Sequence, residues 1–224
     1  MMTYRLRLCE DNISANAQYL TVPLGLNCII YVVTGELTIR GEKEETAVKK
    51  ETAAFTGGPC KVQAGPKASR VLRFELFKDS GGAEAGIEST SDVKSRILLE
   101  SPIELDQSAD YVMRCDRVDF ELGSEALPHG HRGGGIRWLI AGELMVKQGE
   151  GEYHAMQIGE AWFEDGKKPV HAIASKNERT AFIRVSILPL EIKGKSSIMY
   201  VNPEDAGRSK PRTYALYVDE LIEI

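Results

Sequence analysis

Four cysteines, four histidines, no basic excess and no long apolar run limit what this chain can be. Cys9, Cys28, Cys60 and Cys115 are widely spaced without a CxxC pair, so they read as buried, reduced thiols of a cytosolic protein. The net charge is -5, and Lys and Arg are scattered among Asp and Glu, so no nucleic-acid partner is expected. The start, MMTYRLRLCEDN, lacks the apolar core of a signal peptide, and runs such as CIIYVV are far too short to span a bilayer. These absences predict a soluble, cytoplasmic protein with no membrane partner. Amphipathic helical stretches are scarce and no helix-turn-helix signature occurs, which argues against a transcription regulator.

What is present is β sequence: short β-branched and aromatic runs bounded by Gly, Pro and Asn recur along the chain, the pattern of a sandwich or barrel. A repeat sharpens this. Ile30-Tyr31-Val32-Val33-Thr34-Gly35-Glu36-Leu37 reads like Arg137-Trp138-Leu139-Ile140-Ala141-Gly142-Glu143-Leu144, each a strand, a Gly-Glu turn and a returning strand. At the same offset Ala54-Phe55 falls on Ala161-Trp162, and Val71-Leu72-Arg73-Phe74 matches Phe182-Ile183-Arg184-Val185 after a small length change. Two tandem antiparallel β-barrels are therefore expected, over residues 1–80 and 97–224, joined by a Gly- and Ser-rich linker at 81–96. The tail, TYALYVDELIEI, reads as a strand needing a sheet to dock on, either the first copy's or a partner subunit's.

The chemistry concentrates in GSEALPHGHRGGGIRWLIAG, residues 123–142. In a strand His129 and His131 point the same way and can close on one metal ion. Gly123, His129, His131 and Gly142 stand at the spacings of the first motif of the cupins, small antiparallel jelly-roll barrels that hold a metal near one end. Gly159-EAWFEDGKKPV-His171 is similar to their second motif with one extra residue. The chain thus resembles a two-domain cupin, and the resemblance implies a divalent metal (Fe, Zn, Ni, Mn or Cu) on His129, His131 and His171, and a homodimer. The first copy has Val22, Leu24, Cys28 and Ala64 at the matching positions, none of them a metal ligand of this family.

The family's Glu ligand would fall at Gly135, leaving a three-histidine centre, a set suited to several divalent metals. Glu164, two residues beyond the core aromatic Trp162, either completes that centre or is a rim carboxylate facing water. Arg137 shares the histidines' face by alternation, and a buried guanidinium needs an anion: Glu164, or a substrate carboxylate. The run Gly133-Gly134-Gly135 precedes a strand, not a helix, so it is no phosphate loop; it reads as room for a ligand near the metal face. His154 reads as an exposed turn residue. The resemblance implies a metal-dependent enzyme on a small anionic or keto-acid molecule, of dioxygenase type, with a cupin isomerase or lyase, or a non-enzymatic small-molecule binding or sensing protein, as alternatives.

Overall fold

The computed structural model describes residues 1–20, 27–41, 44–79, 90–208 and 211–224. The chain divides into two compact units, Met1–Asp110 with Ile222–Ile224, and Tyr111–Leu221. In the first run β1 (Met2–Ile13), β2 (Gln18–Leu20), β3 (Asn27–Thr34), β4 (Glu36–Arg40), β5 (Glu45–Lys49), β6 (Ala53–Thr56), β7 (Lys61–Ala64), β8 (Ser69–Lys78) and β9 (Val93–Leu105). They form two antiparallel sheets, ordered β6-β3-β8-β1-β9 and β2-β7-β4-β5.

The second unit repeats the plan. Its strands are β10 (Tyr111–Phe120), β11 (Glu125–His131), β12 (Gly135–Ala141), β13 (Leu144–Gln148), β14 (His154–Met156), β15 (Ala161–Glu164), β16 (Val170–Ala174), β17 (Thr180–Pro189), β18 (Ile198–Tyr200) and β19 (Arg212–Ile222). Their sheets are ordered β15-β12-β17-β10-β19 and β14-β13-β16-β11-β18. No helix among the described residues is long and apolar enough to cross a membrane.

Three expectations change. The proposed linker falls largely on residues outside those described, but its end does not: β9 begins at Val93 and pairs along β1 from Met2↔Leu105 to Ile13↔Val93. The first unit therefore reaches Asp110, well past residue 80, because that strand completes its sheet. The tail strand β19 lies beside β10 at the edge of the second unit's own sheet, where β9 lies beside β1 in the first. The Gly-Glu turns are not hairpins either, since β3 and β4, like β12 and β13, belong to different sheets.

Those turns are corners between sheets, and both need glycine. Gly35 has φ +80° and Gly142 +69°, and a Cβ on Gly142 would lie 2.4 Å from the Arg179 carbonyl oxygen. The hydroxyls of Ser69 and Thr180 donate to the Glu36 and Glu143 carbonyls at 2.9 and 3.0 Å, so the two corners are closed in the same way. Gly142→Ala is expected to cost about 1–2 kcal/mol for the left-handed backbone, plus the clash. Gly149→Ala, at φ +56° with nothing within 4 Å, supplies the backbone term alone. Urea denaturation should place Gly142→Ala clearly below Gly149→Ala.

Between the second unit's sheets, alternate residues face inward and polarity changes along the barrel. At one end Val118, Phe120, Leu139, Trp162 and Phe182 form an apolar cluster, with Trp162 and Phe182 edge to face at 5.5 Å. Two residues on along the same strands stand Asp116, Arg137, Glu164 and Arg184, all buried. The site lies at this polar end.

Candidate functional site

Strand register brings the polar end together. Arg137 on β12 is the cross-strand partner of both Trp162 and Arg184, and Gly135 is opposite Glu164. Two guanidinium groups on adjacent strands repel unless each has its own anion. Arg184 donates to Asp116 through Nε at 3.0 Å and Nη2 at 2.6 Å, a bidentate pair. Arg137 Nη2 lies 2.7 Å from Glu164 Oε2, and its Nη1 donates to the Gly135 carbonyl at 2.6 Å. Of the two partners open to Arg137, the structure supplies Glu164. The carboxylate is accordingly buried and not on the rim, with Oε1 accepting from Trp162 Nε1 at 2.8 Å.

His129 and His131 enter the same space, their rings edge to face with centroids 4.9 Å apart. His129 Nδ1 donates to the Leu127 carbonyl at 2.6 Å, which leaves Nε2 as a bare lone pair. His131 Nδ1 contacts Ser197 Oγ at 3.2 Å, and its Nε2 lies 3.5 Å from Glu164 Oε2. Burial, reinforced by Arg137 and Arg184 against the pull of Glu164, brings His131 down to about 3, and burial also lowers His129. Both imidazoles are neutral at pH 7. Burial alone would raise the Glu164 carboxyl, but Arg137, His131 and the Trp162 N–H outweigh it and hold it well below the usual carboxylate range. Burial lowers Arg137 to about 10, with Glu164 opposing, so the guanidinium is charged at neutral pH.

His171 does not join them. Val170 is the cross-strand partner of His129 and shares its inward face; His171, one residue later, takes the other face. There it sits between Tyr153 Oη and the exposed carboxylate of Glu125, opposite Lys147. The expected three-histidine centre is therefore not assembled, because a shift of one residue in a strand reverses the side chain. His154 is exposed, and Val22 and Leu24 lie outside the described residues.

The glycines also have another reason than ligand access. A Cβ on Gly133 would lie 2.1 Å from the Ile187 carbonyl oxygen and one on Gly135 2.4 Å from that of Val185, so the run lets β17 approach. The space bounded by His129, His131, Arg137, Glu164 and Val170 is about 30 Å³, enough for a water or an ion and too small for an organic substrate. Beside it opens a larger cleft of about 300 Å³, which shares Arg184, Ile198 and Tyr214 with the inner space and adds Arg114, Lys195, Ser196 and Ser197. Sequence reasoning missed Ser197, Lys195 and Tyr214, which follow the last repeated strand. The arginine common to Val71-Leu72-Arg73-Phe74 and Phe182-Ile183-Arg184-Val185 was a visible signal, since an arginine repeated inside apolar strands marks a buried pair.

No protein-family model and no curated protein matches the sequence. Solved structures do. The formate complex of oxalate decarboxylase from Lactobacillus farciminis superposes with a TM-score of 0.63 at 11% identity, over 91% of this chain and 82% of that one. A tryptophan-to-phenylalanine variant of the B. subtilis oxalate decarboxylase gives 0.64 at 13%, over 91% and 73%, and AerE from Microcystis aeruginosa gives 0.56 at 15%, over 84% and 88%. The chain has the cupin fold. At these identities the likeness concerns architecture, and the Mn(II) centers described for the Bacillus subtilis oxalate decarboxylase belong to that protein.

The residues of this cupin barrel do not fit such an ion. Among the described residues no group of three or more His, Cys, Asp or Glu side chains is arranged to hold one. Two imidazoles remain, the usual Glu position is Gly135, Val170 stands in the barrel where the third imidazole was expected, and the nearby carboxylate is already spent on Arg137. Two unit charges 4 Å apart at an effective dielectric near 20 interact by about 4 kcal/mol, and a divalent ion roughly doubles the repulsion from a guanidinium. The one negative charge of Glu164 cannot offset both cations.

Proposed function

We propose that the C-terminal cupin barrel binds a small organic anion in the cleft beside the histidine pair. The observation that carries this reading is the cleft's charge: Arg114, Arg184 and Lys195 line it against one carboxylate, Asp116. Counting Asp219, the partner of Arg114, still leaves one positive charge, on Lys195, whose Nζ donates to the neutral Glu191 carbonyl at 3.1 Å. About 300 Å³ suits a molecule of a few heavy atoms, and Ser196, Ser197 and Tyr214 offer hydroxyls to orient it. Ser197 also contacts His131, so a ligand there is one side chain from the buried cluster.

The dioxygenase-type and isomerase or lyase expectations both called on an open-sited cation, and the donor set supplies none, so binding is the function this geometry supports. Structural neighbours named for oxalate and formate make small carboxylates the first probes. Calorimetry should show formate, oxalate or a related carboxylate binding more tightly than its amide, with affinity falling as salt rises. Lys195→Ala should weaken binding about 10-fold or more, as loss of a charge-assisted hydrogen bond does. Equal affinity for acid and amide would overturn the reading.

A further inference from the structure

We propose that the Arg137 guanidinium takes the place of a metal ion in the C-terminal barrel, and that replacing it with a neutral side chain converts His129, His131 and Glu164 into a divalent-cation site. One pair of donors already stands at metal spacing, while with the guanidinium in place no three donors among the described residues do. Two ligands each about 2.1 Å from a tetrahedral ion lie roughly 3.4 Å apart, and His131 Nε2 is 3.5 Å from Glu164 Oε2. Trp162 holds Oε1 and so directs Oε2 at the cation, and the Leu127 carbonyl holds His129 in the tautomer whose Nε2 is free to coordinate. Two imidazoles and a carboxylate are a recognised metal set. What occupies the cation's place is the guanidinium, 2.7 Å from Oε2.

The internal repeat supports this separately. By strand pairing Ile30 stands where the second copy has Arg137 and Thr56 where it has Glu164, so the first copy lacks both members of the pair, while it keeps an arginine, Arg73, where the second has Arg184. The second copy has both residues and the first has neither. Ile30 is fully buried in β3, which shows that this strand position accepts a neutral side chain.

Cobalt(II) is the probe, because it reports coordination by visible absorption as well as by stoichiometry. After saturation and dialysis, the wild type should retain well under 0.1 Co(II) per chain and show no ligand-field bands. Arg137→Gln should retain about one and bind at least 100-fold more tightly by calorimetry, and adding His129→Ala or Glu164→Gln should abolish this. Arg137→Ile, which copies the first barrel, is the second variant. If either is poorly folded alone, a rise in melting temperature on adding Co(II), absent in the wild type, supports the proposal, and no rise overturns it. One Co(II) per wild-type chain, lost with His129→Ala, overturns it, as does a folded variant that binds no better than wild type. These outcomes do not depend on what occupies the outer cleft.

Discussion

Arg137→Met should lower the stability of the C-terminal barrel by about 3–5 kcal/mol, and adding Glu164→Gln should recover much of that loss. The single change removes the guanidinium and leaves a buried carboxylate whose charge nothing offsets, the costly half of a broken ion pair. Against a total of about 5–15 kcal/mol for a domain, this is a fifth or more of the reserve. The second change removes the stranded charge. A glutamine at 164 keeps an oxygen for Trp162 Nε1, so the hydrogen bond at 2.8 Å has a replacement, and it leaves a neutral amide where the carboxylate lies 3.5 Å from His131 Nε2. The chain has two tryptophans, Trp138 and Trp162, both in this barrel, so urea unfolding followed by their fluorescence reads this unit and not the other. Equal stability of single and double variants would show that the pair is not coupled.

The first barrel reaches charge balance with different residues. Arg73 is 1% exposed and meets Asp11 Oδ2 at 2.8 Å, the carboxylate of Glu75, and Ser95 Oγ at 3.2 Å, while Tyr19 Oη donates to the same Asp11 oxygen at 3.0 Å. Arg7 also reaches Glu75, at 3.9 Å. In both units a guanidinium from the last strand of the repeat points inward and meets an aspartate of the first strand, Asp11 or Asp116. Carboxylates and guanidinium groups compensate one another inside each barrel, which is why charged residues sit in strands that otherwise read as core.

Much of this was legible because strands alternate. The repeat predicted two barrels, and counting by two from Gly135 put Arg137 inside, where it is; counting by two from Trp162 left Glu164 to either the centre or the rim, and it is buried. The same rule could not settle His171. Residues 165–169 form a loop between β15 and β16, and a loop carries no parity, so whether Val170 or His171 faces the barrel is decided only by the pairing of β16 with β11. Pairs distant in sequence were equally hidden: Asp116 and Arg184 are 68 residues apart and meet because β10 lies beside β17. The tightness around Gly133 and Gly135 is likewise a property of β17's backbone, which composition does not reveal.

Acid should unfold the C-terminal barrel in two stages, and His131→Asn should flatten the first. His131 is held down to about 3 from an ordinary 6.5, so between those values the unfolded chain takes up a proton that the folded barrel excludes. Stability then rises with pH, which means it is lost as pH falls from about 6.5, by up to about 1.4 kcal/mol per pH unit from this one group. His129, also lowered, adds a slope of the same sign, so the variant removes part of the dependence and not all of it. Glu164 acts further down: its folded carboxyl lies below the ordinary 4.5, so its contribution is complete above that pH and is lost only below it. Glu75 shifts the other way, but it belongs to the first unit, which the tryptophan signal does not report. Urea midpoints read by tryptophan fluorescence should therefore fall between pH 6.5 and 4.5 in the wild type and fall less in His131→Asn, with both dropping steeply below 4.5. Parallel curves above pH 4.5 would mean that His131 is not held neutral against its charged neighbours, and that the buried cluster is more open to water than its packing indicates.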